Sequence, residues 1–128
     1  VWVLGRKKAP LAAGLGAALS DIVSGFAVWA LPTFIIKFCF ATIIGLIAEK
    51  AFNEKYLGYL VGSLVGAAFH ILGYFLVWNI IGGGIEAAVA TLPTLSGQTL
   101  FGFIAGNIVI FTLSRSSFGR QTKAKARA

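Results

Sequence analysis

An acid and a base stand in apolar company early in this chain, Asp21 and Lys37, within the run DIVSGFAVWALPTFIIK. Charges in hydrocarbon are expensive, and a chain that keeps them pairs them or uses them. Gly25 and Pro32 punctuate the run, which predicts a helix, a turn near residues 27–31 and a returning helix, with Asp21 and Lys37 at similar depth. Further along, His70, Tyr74 and Trp78 follow at intervals of four, so each neighbouring pair shares a helix face. Glu86 and Gln98 complete the polar set expected in the outer half of the molecule. Such a cluster suits a pocket, open to the outside, for a small, polar, aromatic molecule. Competing readings are a hydrogen-bonded core for the lone His and snorkelling to the outer interface for Lys37. Trp29 reads as an interfacial anchor, a role compatible with stacking on a ligand.

Other chemistry is excluded by what is missing. With one His, one Cys and one Asp there is no Cys/His metal site, no nucleophilic triad and no pair of intramembrane aspartates. The glycines at 82–84 lack the Gly-Lys-Ser/Thr ending of a phosphate loop. The chain therefore reads as a binding protein and not an enzyme, and no cofactor is expected.

The elements that must carry these residues are membrane helices. Of 128 residues 58% are hydrophobic and 12% charged, against roughly 25% charged in soluble domains. A spanning helix needs about 20 mainly apolar residues, and the runs 10–31, 32–49, 56–81 and 90–113 meet that need. The prediction is all-α: an integral membrane bundle of about four transmembrane helices in a single domain over 1–128. Residues 1–8 read as the remnant of a preceding helix and a turn, with Pro10 in the first turn of the next helix. Residues 9–113 form the bundle and residues 114–128 a basic tail. IEAAVATL reads as a separate short helix, lying on the outer surface or capping the bundle, the fourth span beginning after Pro93.

Basic residues fall in three clusters: Arg6, Lys7 and Lys8; Lys50 and Lys55; and Arg115 through Arg127. Four spans bring all three to one side, the cytoplasmic side by the positive-inside rule, with both visible termini there. The tail then serves topology and anionic lipid headgroups, and nucleic acid is not an expected partner. Cys39 lies within the second run, so no internal disulfide forms.

Small residues predict how the helices meet. Gly14 and Ala18, Gly62 and Gly66, and Gly102 and Gly106 repeat at four, a spacing that lets backbones approach closely in lipid. Packing of this kind points to a closed bundle, and with no continuous polar stripe it argues against a channel. Interhelical hydrogen bonding is expected for Asn107.

Three stretches, GLGAALSDIVSGFAVWALPTFIIK, GSLVGAAFHILGYFLVW and AAVATLP with Gln98 and Gly102 following, resemble the substrate-binding S component of energy-coupling factor (ECF) vitamin transporters. The resemblance covers most of residues 9–113. The family usually has six helices, of which this chain holds the last four, an N-terminally truncated form; Leu95 stands where members often place an Asn. The resemblance implies a membrane receptor that captures a water-soluble vitamin from outside, of pyrimidine or pyridine type such as hydroxymethylpyrimidine or vitamin B6. It implies a transmembrane coupling (T) subunit and two cytoplasmic ATPase subunits as partners, in a prokaryotic plasma membrane. Asp21, Lys37, Tyr74 and Gln98 carry over as site residues by analogy. The rival reading is a structural or assembly membrane subunit whose polar residues only hold helices together.

Overall fold

The computed structural model describes residues 1–128, and it is all-helical. Four long helices run up and down: α1 (Gly5–Val23), α2 (Ala27–Leu46), α3 (Tyr56–Ile81) and α4 (Ile85–Arg115). A short α5 (Ser117–Arg127) follows. A wider π-type turn, Ile47–Ala51, extends α2, so the apolar rod runs Ala27–Ala51. This rod, α3 and α4 are each long and apolar enough to cross a membrane. Expected as a fourth span, α1 falls short: its apolar part, residues 9–23, measures about 22 Å at the helical rise, against a hydrocarbon core of about 30 Å.

The three prolines sit differently from expectation. The first turn lies at residues 24–26, not 27–31: Gly25 takes φ +85°, and Phe26 donates its N–H back to Asp21 O at 2.8 Å. Gly25 tolerates this conformation because it has no Cβ. Pro32 therefore lies inside α2, and Pro10 inside α1, which begins five residues earlier than its proline. Pro93 lies inside a continuous α4, so the separate outer helix does not exist. Breaking a helix in lipid strands several backbone groups, whereas keeping it across a proline costs one bond.

Packing runs in chain order, α1 on α2, α2 on α3 and α3 on α4. Gly14 admits the Phe34 ring, Gly62 the backbone of Ile44 and Gly66 the Phe40 ring; a methyl at any of them would lie about 3 Å from that neighbour. Ala18 is half-buried on α1. A methyl at Gly102 or Gly106 would meet nothing within 4 Å. The glycines of α4 thus do not seal the bundle, and a groove runs between α1 and α4. Asn107 does bridge helices, donating to Ser63 Oγ at 3.0 Å.

All three basic clusters gather at one end. There Trp2, Ile44, Ala48 and Tyr59 form a small apolar core, with Tyr59 fully buried. Around it Arg6 pairs with Glu49 at 2.9 Å, and both Lys123 and Arg127 of α5 pair with Glu54. Arg127 also donates to the carbonyl of Trp2 at 3.0 Å. The C-terminal tail is thus an ordered helix strapped across the base, capped at its start by Ser116, whose Oγ accepts from Gly119 N–H.

Candidate functional site

Opposite the basic end, the four long helices leave a cavity of about 430 Å³. From α1 comes Asp21; from α2, Trp29 and Thr33; from α3, Tyr74 and Trp78; from α4, Thr94 and Gln98. Spacing explains the set: Trp29, Thr33 and Lys37 recur every fourth residue on α2, as do His70, Tyr74 and Trp78 on α3 and Thr94 and Gln98 on α4. Each row turns one stripe of an otherwise apolar helix inward.

At the mouth, the Trp29 and Trp78 rings pack 4.5 Å apart, tilted by 40°. One turn deeper, Tyr74 donates its hydroxyl to Thr33 Oγ1 at 3.1 Å, and its ring meets His70 edge-on at 4.9 Å. Below that, Lys37 Nζ lies 3.0 Å from His70 Nε2, and His70 Nδ1 lies 2.9 Å from Thr99 Oγ1. His70 is buried, Lys37 half-buried. The second space, about 460 Å³, is the groove between α1 and α4; Lys37, His70, Ser63, Thr99 and Asn107 supply its polar lining. Gln98 borders both spaces.

Asp21 and Lys37 do not form an ion pair, since neither appears among the contacts within 4.0 Å that join Arg6, Lys123 and Arg127 to Glu49 and Glu54. Asp21 Oδ2 is buried with no hydrogen-bond partner. A buried carboxylate oxygen left unpaired is costly, and such a group calls for an explanation.

The cluster of Asp21, Tyr74, Trp78 and Gln98 comes together around the outer cavity, and Lys37 and His70 adjoin it below. Glu86 stands apart: it is exposed in the first turn of α4, in a shallow depression with Ile85, Val89 and Ala90. The helix N-terminus there favours an acid, which accounts for it without a ligand. Thr33, Thr94 and Thr99 went unread in the sequence, although their fourfold spacing from Lys37, Gln98 and Leu95 was the available signal. Trp29, read mainly as an anchor, lines the cavity.

No curated protein and no solved structure matches the chain. The family described as "ECF-type riboflavin transporter, S component" matches residues 1–115. A multi-pass helical membrane protein with a polar, aromatic-lined cavity at one end agrees with that match, and the chain belongs to the S component family of ECF-type riboflavin transporters.

Proposed function

We propose that this substrate-specificity subunit captures riboflavin or a closely similar heteroaromatic vitamin from outside the cell. The observation that carries the reading is the unpaired, buried Asp21 oxygen in a cavity that also holds Tyr74, the Trp29–Trp78 pair and Gln98. A carboxylate takes a ligand N–H, Lys37 donates to a carbonyl oxygen, and the packed indole pair offers a face on which a flat ring can stack. Two adjoining spaces sharing Gln98 suit a ring with a polar chain better than a single small ring. On that ground, and from the family's description, riboflavin stands ahead of hydroxymethylpyrimidine and vitamin B6. Uptake is completed by a transmembrane coupling subunit and two ATPases, ATP hydrolysis reorienting the loaded bundle, and this chain does no chemistry. The basic end faces the cytoplasm.

The test is titration of purified full-length protein with riboflavin, hydroxymethylpyrimidine and pyridoxine, read by quenching of flavin fluorescence and by calorimetry. Saturable binding led by riboflavin is expected. If none of the three binds, the receptor reading falls and the structural-subunit reading takes its place; a preference for hydroxymethylpyrimidine or pyridoxine would keep the receptor and correct its ligand.

A further inference from the structure

The hydrogen bonds around His70 settle which of its nitrogens carries the proton. Thr99 Oγ1 lies 2.7 Å from the carbonyl of Leu95, an atom that only accepts, so the single hydroxyl hydrogen of Thr99 is committed there. Oγ1 must then accept from His70 Nδ1, 2.9 Å away. A neutral imidazole has one N–H, which leaves Nε2 as a lone pair facing Lys37 Nζ at 3.0 Å. Lys37 is the donor in that contact. An imidazolium would set two donors of like charge against each other.

We infer that His70 is a positioning residue: held by Thr99 as the Nδ1–H tautomer, it grips Lys37 through Nε2 and aims the remaining ammonium hydrogens into the groove between α1 and α4. An ammonium has three N–H groups, and His70 takes one. The rings of Tyr74 and Phe40, 5.8 and 6.0 Å from Nζ, flank the cation without offering it an acceptor. Two donors are left for a ligand carbonyl or other electron-rich edge. Thr99 and His70 border the same groove as Lys37, and their part in this arrangement is to set the rotamer of the lysine that donates. The ligand half of this inference rests on the binding reading above, whereas the tautomer holds in the ligand-free protein.

His70 is the chain's one histidine, so protein labelled with nitrogen-15 histidine gives the NMR signals of a single ring. At neutral pH the expected spectrum has Nδ1 protonated and Nε2 bare. Protonated Nε2, or a doubly protonated ring, overturns the inference whether or not any vitamin binds. The second arm is a cycle of riboflavin titrations on Lys37→Ala, His70→Leu and the double variant. His70→Leu should weaken binding about 10-fold, the scale of one charge-assisted hydrogen bond, and should change nothing further in the Lys37→Ala background. Equal losses in both backgrounds would make His70 a general packing residue and overturn the positioning role. Thr99→Val is expected to repeat part of the loss, while Thr99→Ser and His70→Gln, which keep the acceptors, retain most of the affinity. Absence of riboflavin binding in the unmodified protein would strike the function proposed above and leave the spectrum to decide the tautomer.

Discussion

Asp21 and Lys37 carry opposite charge in one polar cluster and yet do not bond. Lys37 spends a donor on His70 Nε2, and one Asp21 oxygen has no partner at all. Sites that keep such groups apart are ready to receive a ligand that bridges them, at a cost in ligand-free stability. Asp21→Asn keeps the shape and removes the charge. Its melting temperature in detergent, measured without vitamin, should equal or exceed that of the unmodified protein, while riboflavin affinity should fall about 10-fold or more. A variant both less stable and unimpaired in binding would make Asp21 a structural residue. Gln98 borders both spaces, so Gln98→Leu should weaken binding comparably, with little effect on melting because its side chain is exposed to the groove. Glu86, exposed and lining neither space, should tolerate Glu86→Gln with unchanged affinity in the same titration.

Among elements, the contacts of α2 and α3 decide most. Gly62 lies against the backbone of Ile44, with no flexible side chain between them to give way. Gly62→Leu should destabilise the bundle by about 1–3 kcal/mol, the usual range for overpacking. Gly102→Ala, facing open space, should cost nothing and gain a few tenths through helix propensity of up to about 1 kcal/mol. Thermal unfolding of the two variants side by side checks the contrast. Helix α5 depends instead on charge. Burial pushes the Glu54 carboxyl up, but hydrogen bonds from Lys123 and Arg127 outweigh it and hold its pKa below the ordinary 4.5. With the folded value below the unfolded one, the strap is fully stabilised above the unfolded pKa and loosens as pH falls through the folded value. Protease cleavage within residues 117–127 should therefore rise steeply in the acid range below 4.5, and Glu54→Gln should cleave readily at neutral pH with the acid step lost.

For the whole molecule, the alternation of four long helices puts the α3–α4 connection and the basic termini at opposite ends. Single cysteines at Gly83 and Ser117, in a Cys39→Ala background, should react with a membrane-impermeant maleimide from opposite sides of the membrane in intact cells and inverted vesicles, Gly83→Cys from outside. Labelling of both from one side would overturn the topology. The groove between α1 and α4 is the other whole-molecule feature. With the outer cavity it makes two adjoining spaces that share Gln98 rather than one closed pocket, which bears on the size of the ligand proposed above.

Composition and period alone determined that this is a helical membrane protein, that its cations other than Lys37 share one end, and that a polar aromatic cluster occupies the other half. They did so because hydropathy over 20 residues and side-chain spacing at four are local properties, readable without knowing what lies opposite. The rows His70, Tyr74, Trp78 and the glycines 62 and 66 were legible for that reason. Tertiary structure alone decided the rest. Pro32 and Pro93 signalled breaks by propensity, and lipid's intolerance of unpaired backbone overrode them. Gly102 and Gly106 share the spacing of packing glycines, but only the placement of α1 shows that nothing meets them. The sequence offered Asp21, at similar depth, as the partner of Lys37; the packing of α2 on α3, with Gly62 and Gly66 against Ile44 and Phe40, goes with Lys37 meeting His70 instead and one Asp21 oxygen left unpaired. Helix rotation is fixed by contacts between helices, and no single helix's sequence contains it.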